Sequence, residues 1–78
     1  MRLSAQKTRL DHHLTRAASY QAVGEYRNAL AACDQALFIC PDSATAYHIR
    51  GLARYALGDM DEALRDWKQS DRLRRQVL

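Results

Sequence analysis

The sequence predicts an all-α fold of four helices arranged as two helix–turn–helix units. Three observations carry this. Apolar residues recur at helical spacing in four segments. Gly24, Pro41 and Gly58 fall at the breaks between those segments. The two halves of the chain also align with each other at an offset of 34 residues. Composition agrees: of 78 residues, 47% are hydrophobic and 27% charged, which excludes a disordered tail. One Pro and three Gly are too few for a small β fold built from many turns. A chain of 8.9 kDa folds to an accessible surface of roughly 4,800 Å² from about 12,900 Å² unfolded. That is one small domain, with no large enclosed active site expected.

The first helix is marked by Leu10, Leu14, Ala17, Ala18 and Val23, with Leu3 extending the stripe toward a start near Ser4. Thr8 and Asp11 offer an alternative start of the capping-box kind. Gly24 ends this helix, because glycine accepts the left-handed conformation of a helix C-terminus without penalty. A second stripe runs through Tyr26, Ala29, Leu30, Cys33, Ala36, Leu37 and Cys40 until Pro41 stops it. Asp42 or Ser43 caps the third helix, which carries Tyr47, Gly51, Leu52, Tyr55 and Ala56 before Gly58 closes it. Asp59 and Glu62 predict a capping box for the fourth, which runs from Met60 through Ala63, Leu64 and Trp67 toward Leu73 and Val77.

In the internal alignment Arg16 meets Arg50, Ala22 meets Ala56, Gly24 meets Gly58, Ala29 meets Ala63, Leu30 meets Leu64 and Gln35 meets Gln69. The second unit reads Tyr47, Arg50, Gly51, Ala53, Leu57, Gly58, Ala63, Leu64 and Trp67. The first has Ala17, Tyr20, Gly24, Tyr26, Ala29, Leu30, Ala36 and Pro41. A helix–glycine turn–helix unit of this period, with these residues in this order, resembles two tandem tetratricopeptide repeats. The pattern is broken at His13, which replaces an aromatic, at Cys33, where a bulky aromatic is common, and at Arg54, which stands where Tyr is usual. Small residues such as Ala17, Ala29, Gly51 and Ala63 let paired helices approach. Tyr20, Leu30, Leu64 and Trp67 are expected to fill the space between them.

The resemblance implies four antiparallel helices in a right-handed superhelical stack. Residues 1–9 form an N-terminal extension of the first helix or a flexible segment, 10–43 the first repeat, and 44–78 the second with a long basic terminal helix. It implies a non-enzymatic protein-interaction module, an adaptor or assembly factor, whose first helices line a concave groove. The groove positions carried over are Asp11, Leu14, Ala18, Gln21 and Ala22 in the first unit, and Thr45, His48, Leu52, Tyr55 and Ala56 in the second, with Ile49 beside them. A family subtype grips a C-terminal carboxylate with Lys, Asn and Arg. Leu14, Ala18 and Ile49 hold those positions here, so the lining suits an apolar peptide or amphipathic helix instead.

Repeat arrays generally need three or more units to bury their faces. With two, Leu3, Met60, Trp67, Leu73 and Val77 are predicted to form an apolar association surface, for a second copy or for a larger protein on which the chain docks. The alternative to the adaptor is therefore a structural homo-oligomer whose grooves or terminal helices are filled by its own chains.

Charge is segregated. Residues 1–16 carry a net +3, residues 17–66 a net −3, and residues 67–78, with Lys68, Arg72, Arg74 and Arg75 against Asp71, a net +3. Basic residues suit a helix C-terminus, and they also attract acidic partners. Nucleic-acid binding through Arg72, Arg74 and Arg75 is the weakest of the three readings, since no reading motif accompanies them. Adjacent side chains on a helix diverge by about 100°, so Asp11, His12 and His13 do not converge on a metal. Phosphate-binding glycine loops are absent, and Cys33 among Leu30, Ala36 and Leu37 reads as apolar filler, so neither catalysis nor a cofactor is expected. Two cysteines seven residues apart on one helix lie about 10 Å from each other, too far for a disulfide. Together with the lack of an apolar signal core in residues 1–15, they point to a reducing cytoplasm.

Overall fold

The computed structural model describes residues 2–76, with side chains from Lys7 onward. The chain is all-helical: α1 spans Arg2–Ala22, α2 Tyr26–Ile39, α3 Ala44–Ala56 and α4 Met60–Gln76. The first helix starts before Ser4, and Thr8 lies inside it rather than at its cap. No described helix is long and apolar enough to cross a membrane.

The two glycine turns are built alike. Gly24 (φ +81°) and Gly58 (φ +90°) take the left-handed conformation that a side chain would disfavour. After α1, the Glu25 N–H donates to the Tyr20 carbonyl (2.8 Å) and the Gly24 N–H to that of Gln21 (3.2 Å). After α3, Asp59 donates to Arg54 (2.8 Å) and Gly58 to Tyr55 (3.0 Å). This paired closure satisfies carbonyls that a helix end leaves open, and it reverses the chain within three residues. Both turns stand 34 positions apart, as do the starts of α2 and α4. The connection at Pro41 works differently. Ser43 Oγ accepts from the Ala46 N–H (3.2 Å) and caps α3, as one of the two candidates predicted. The expected Asp59–Glu62 box does not form, because the Glu62 carboxylate turns to Arg54 (3.4 Å) and Arg65 (2.6 Å) instead.

α1 packs on α2 and α3 on α4; α2 lies against α3, and α1 touches α3. Ala17, Ala32, Cys33 and Ile49 form the core where α1, α2 and α3 meet, with Tyr20 packed against them. Most buried positions are small: Ala29, Ala36, Ala46, Ala53 and Ala63 are fully enclosed, so helix axes come close and large side chains are left to the rims. Leu64 is the exception to the predicted core. It is 46% exposed, because it lies on the side of α4 turned away from α3. The accessible surface, 5554 Å², exceeds the roughly 4,800 Å² of a compact monomer of this mass, as a flat stack of 40 × 28 × 16 Å requires.

Candidate functional site

Two surfaces merit attention, and a charged network holds them in register. On α3, Arg50 Nε and Nη2 donate to the two oxygens of Asp66 on α4 (3.1 and 2.9 Å), a bidentate grip. Arg50 Nη1 reaches Asp34 on α2 (2.9 Å), and Arg54 Nη1 reaches Asp66 Oδ2 (2.9 Å). The Asp66 side chain is only 4% exposed, and the Arg50 guanidinium also lies 5.2 Å from the Tyr47 ring. Burial works against the charge on Arg50, but the bonds and charges of Asp66 and Asp34 outweigh it and hold its pKa above the ordinary value. One arginine thus ties α2, α3 and α4 together. Ser70 Oγ adds a bond from α4 to the Ala44 carbonyl at the other end of α3 (2.9 Å).

Cys33 sits beside this network, fully buried. Burial pushes its thiol up to about 12, with smaller opposing contributions from Arg50 and Arg54 on one side and Asp34 and Asp66 on the other. It is therefore a protonated packing group at neutral pH. The sign for stability follows from linkage. The unfolded thiol ionises near 9 and the folded one near 12, so across that window rising pH favours the unfolded chain. Urea unfolding at pH 8 and pH 10 is expected to show wild type losing about 1 kcal/mol more than Cys33→Ala per pH unit above 9. Parallel losses in the two proteins would remove this role from Cys33.

The first surface is made of exposed positions on α1 and α3. Asp11, Ala18 and Ala22 on α1 are exposed there, as are Thr45, His48, Leu52, Tyr55 and Ala56 on α3; Leu14 and Gln21 are half-buried. Ile49 does not belong with them: it faces Ala17 and Cys33 in the core, because its position on α3 points between α1 and α2. The exposed lining is apolar around Leu52 and Tyr55, the latter 53% exposed. Among the side chains of α1, His13 Nδ1 and Gln21 Oε1 are buried without a hydrogen-bond partner.

The second surface is the outer flank of α4. Met60 is 46% exposed there, as predicted, and Leu64 joins it. Trp67 is half-buried instead. Its indole lies over Gly51 of α3, and its ring centroid stands 5.8 Å from that of Tyr55. Leu73 is buried and turns inward toward α3, so it is not part of an association surface. Leu3 and Val77 lie outside the described side chains. Arg72, Arg74 and Arg75 are exposed and have no ion-pair partner among the described residues.

Sequence reasoning missed two features. One is the Asp66 network, whose only signal was the pair of i,i+4 spacings Arg50/Arg54 and Glu62/Asp66 on facing helices. The other is Phe38, 90% exposed near the end of α2, which falls off the apolar stripe of that helix and aligns with Arg72 in the other half. Compared with protein-family models, curated proteins and solved structures, the chain matches none of them.

Proposed function

We propose that the chain is a non-enzymatic protein-interaction module made of two tetratricopeptide-like helix hairpins, acting in the cytoplasm as an adaptor or assembly factor. It takes a peptide or helix on the concave side of α1 and α3. The observation that supports this reading is the contact of α1 with α3, which brings the first helices of the two hairpins together, with Ala18, His48, Leu52 and Tyr55 exposed on them. An apolar strip with a phenol and an imidazole at its margin suits a ligand that buries aliphatic side chains and accepts one or two orienting hydrogen bonds. Repeated turn geometry and close-packed alanines make that face rigid, which lowers the entropy cost of binding.

Combined Leu52→Asp and Tyr55→Ala substitutions test this. Both side chains are exposed, so the fold should survive, as helicity by circular dichroism would show. The expected outcome is loss of the proteins captured from a lysate by the tagged wild-type chain. If the captured set is unchanged, binding on this face is excluded. If the main effect is dissociation of an oligomer, the structural alternative holds instead.

A further inference from the structure

The outer flank of α4 is the counterpart of the flank that α2 buries against α3. By the 34-residue offset, Tyr26, Leu30, Cys33, Leu37 and Cys40, all buried or half-buried, correspond to Met60, Leu64, Trp67, Asp71 and Arg74. The first three of these second-unit residues are apolar and the last two charged. Lys68 and Arg75 flank the charged end, and neither has an ion-pair partner among the described residues. The flank is therefore split lengthwise, apolar in its N-terminal half and basic in its C-terminal half. A pocket of about 220 Å³ marks the junction, lined by His48, Leu52, Trp67, Ser70, Asp71 and Arg74.

A second copy matches this flank poorly in each simple arrangement. Head-to-tail stacking brings residues 1–16, net +3, onto residues 67–78, also net +3. Antiparallel pairing of two α4 helices sets Met60 and Leu64 of one against the Asp71 and Arg75 region of the other. Parallel pairing joins the apolar halves but also the basic ones. Like charges brought together across an interface select against that partner.

The geometry points to a different occupant: an amphipathic helix from another protein, apolar along one face and acidic in its first two turns. Docked as α3 docks on α2, a helix runs back along α4, so its N-terminal turns meet Lys68, Arg74 and Arg75 while its later turns cover Leu64 and Met60. Acidic residues in a first helical turn are also favoured by that helix's own dipole. This surface meets the α1–α3 face at His48 and Leu52, but its basic residues, Lys68, Arg74 and Arg75, all belong to α4. Reversing charge at Arg74 and Arg75 leaves α1 and the exposed face of α3 unaltered.

Trp67 is the single tryptophan and lies in the site, so its emission reports occupancy. The probe is a tryptophan-free synthetic helical peptide of roughly four turns, about 14 residues, with Leu along one face and Glu in its first two turns. Its twin carries Lys in place of Glu. The Glu peptide is expected to shift Trp67 emission saturably, with affinity falling as salt rises and at least about tenfold weaker for Arg74→Glu combined with Arg75→Glu, which should then prefer the Lys peptide. Leu64→Ser should weaken both variants of the complex. Equal binding of the two peptides by wild type overturns the proposal, as does an emission unmoved by either. A sedimenting dimer whose Trp67 the Glu peptide cannot reach also overturns it, by placing a second copy on the flank.

Discussion

Asp66→Ala is expected to lower the stability of the chain by about 3–5 kcal/mol and its melting midpoint by at least about 12 °C. The substitution removes the one carboxylate that both Arg50 and Arg54 grip, at 2.9–3.1 Å, and leaves two guanidinium groups facing a site only 4% exposed. Arg50 keeps Asp34 and Arg54 keeps Glu62, but the guanidinium edges that faced Asp66 lose their partner, and unpairing partly buried charge costs more than an ion pair contributes. The network makes two further claims. Asp34→Ala should cost less than about 1 kcal/mol, since the Asp34 side chain is 62% exposed and water can take over its bond to Arg50. Replacing the triad whole, with Arg50→Met, Arg54→Met and Asp66→Leu, should recover most of what Asp66→Ala loses, because the one charge left unpaired, Asp34, is 62% exposed and hydrated. Thermal and urea unfolding of the variants measure this. If Asp66→Ala proves no more harmful than Asp34→Ala, the network does not bind α3 to α4.

Gly51→Ala carries the second large effect. Gly51 is not one of the glycines with positive φ, so alanine there gains about 1 kcal/mol in helix propensity. Packing opposes that gain. A Cβ at this position would press on Trp67 Nε1 and lie 2.6 Å from Cδ1 and 3.0 Å from Cε2, well inside van der Waals contact with the indole. To admit the methyl the indole must shift away from α3, giving up its packing on Gly51 and its tilted contact with Tyr55 at 5.8 Å. Overpacking of this kind costs about 1–3 kcal/mol, so a net loss of about 1–2 kcal/mol and a shift in Trp67 emission are expected. Trp67→Leu in the Gly51→Ala background should relieve the clash, giving a coupling energy of opposite sign to the single losses. A rise in stability for Gly51→Ala alone would mean that the indole does not pack against this backbone.

Much of the fold was legible because its signals are local. Gly24 and Gly58 close helices by conformations that only their own residues decide, and Ser43 caps α3 by reaching three residues ahead. The small–large alternation placed Ala17, Gly51, Ala29 and Ala63 inside, as found. What escaped were pairings across helices. Arg54 looked like a flaw in a repeat pattern, yet it shares Asp66 with Arg50. Glu62 fits a capping box, yet a facing arginine outcompetes the backbone amide for it. Ile49 is placed outward by analogy of position and Leu73 as part of an apolar surplus on α4, but each is buried between helices, a choice made by the helix crossing rather than by the spacing. Leu64 was assigned inward by a pattern that presumes a following helix. The exposure of Asp11, Ala18, Thr45, His48, Leu52 and Tyr55 on α1 and α3 was legible from their positions. The split of the α4 flank into apolar and basic halves became visible only when its buried counterpart on α2 was identified.

A photo-crosslinking side chain placed at Leu52 measures most directly whether the concave face holds a partner, with the same group at exposed Arg65 as the control. Irradiation in a cell lysate is expected to join the Leu52 position to a discrete protein other than this chain, and to leave the Arg65 position without it. Crosslinking from Leu52 only to a second copy, or to the same products as from Arg65, would contradict an interaction module that binds its ligand between α1 and α3.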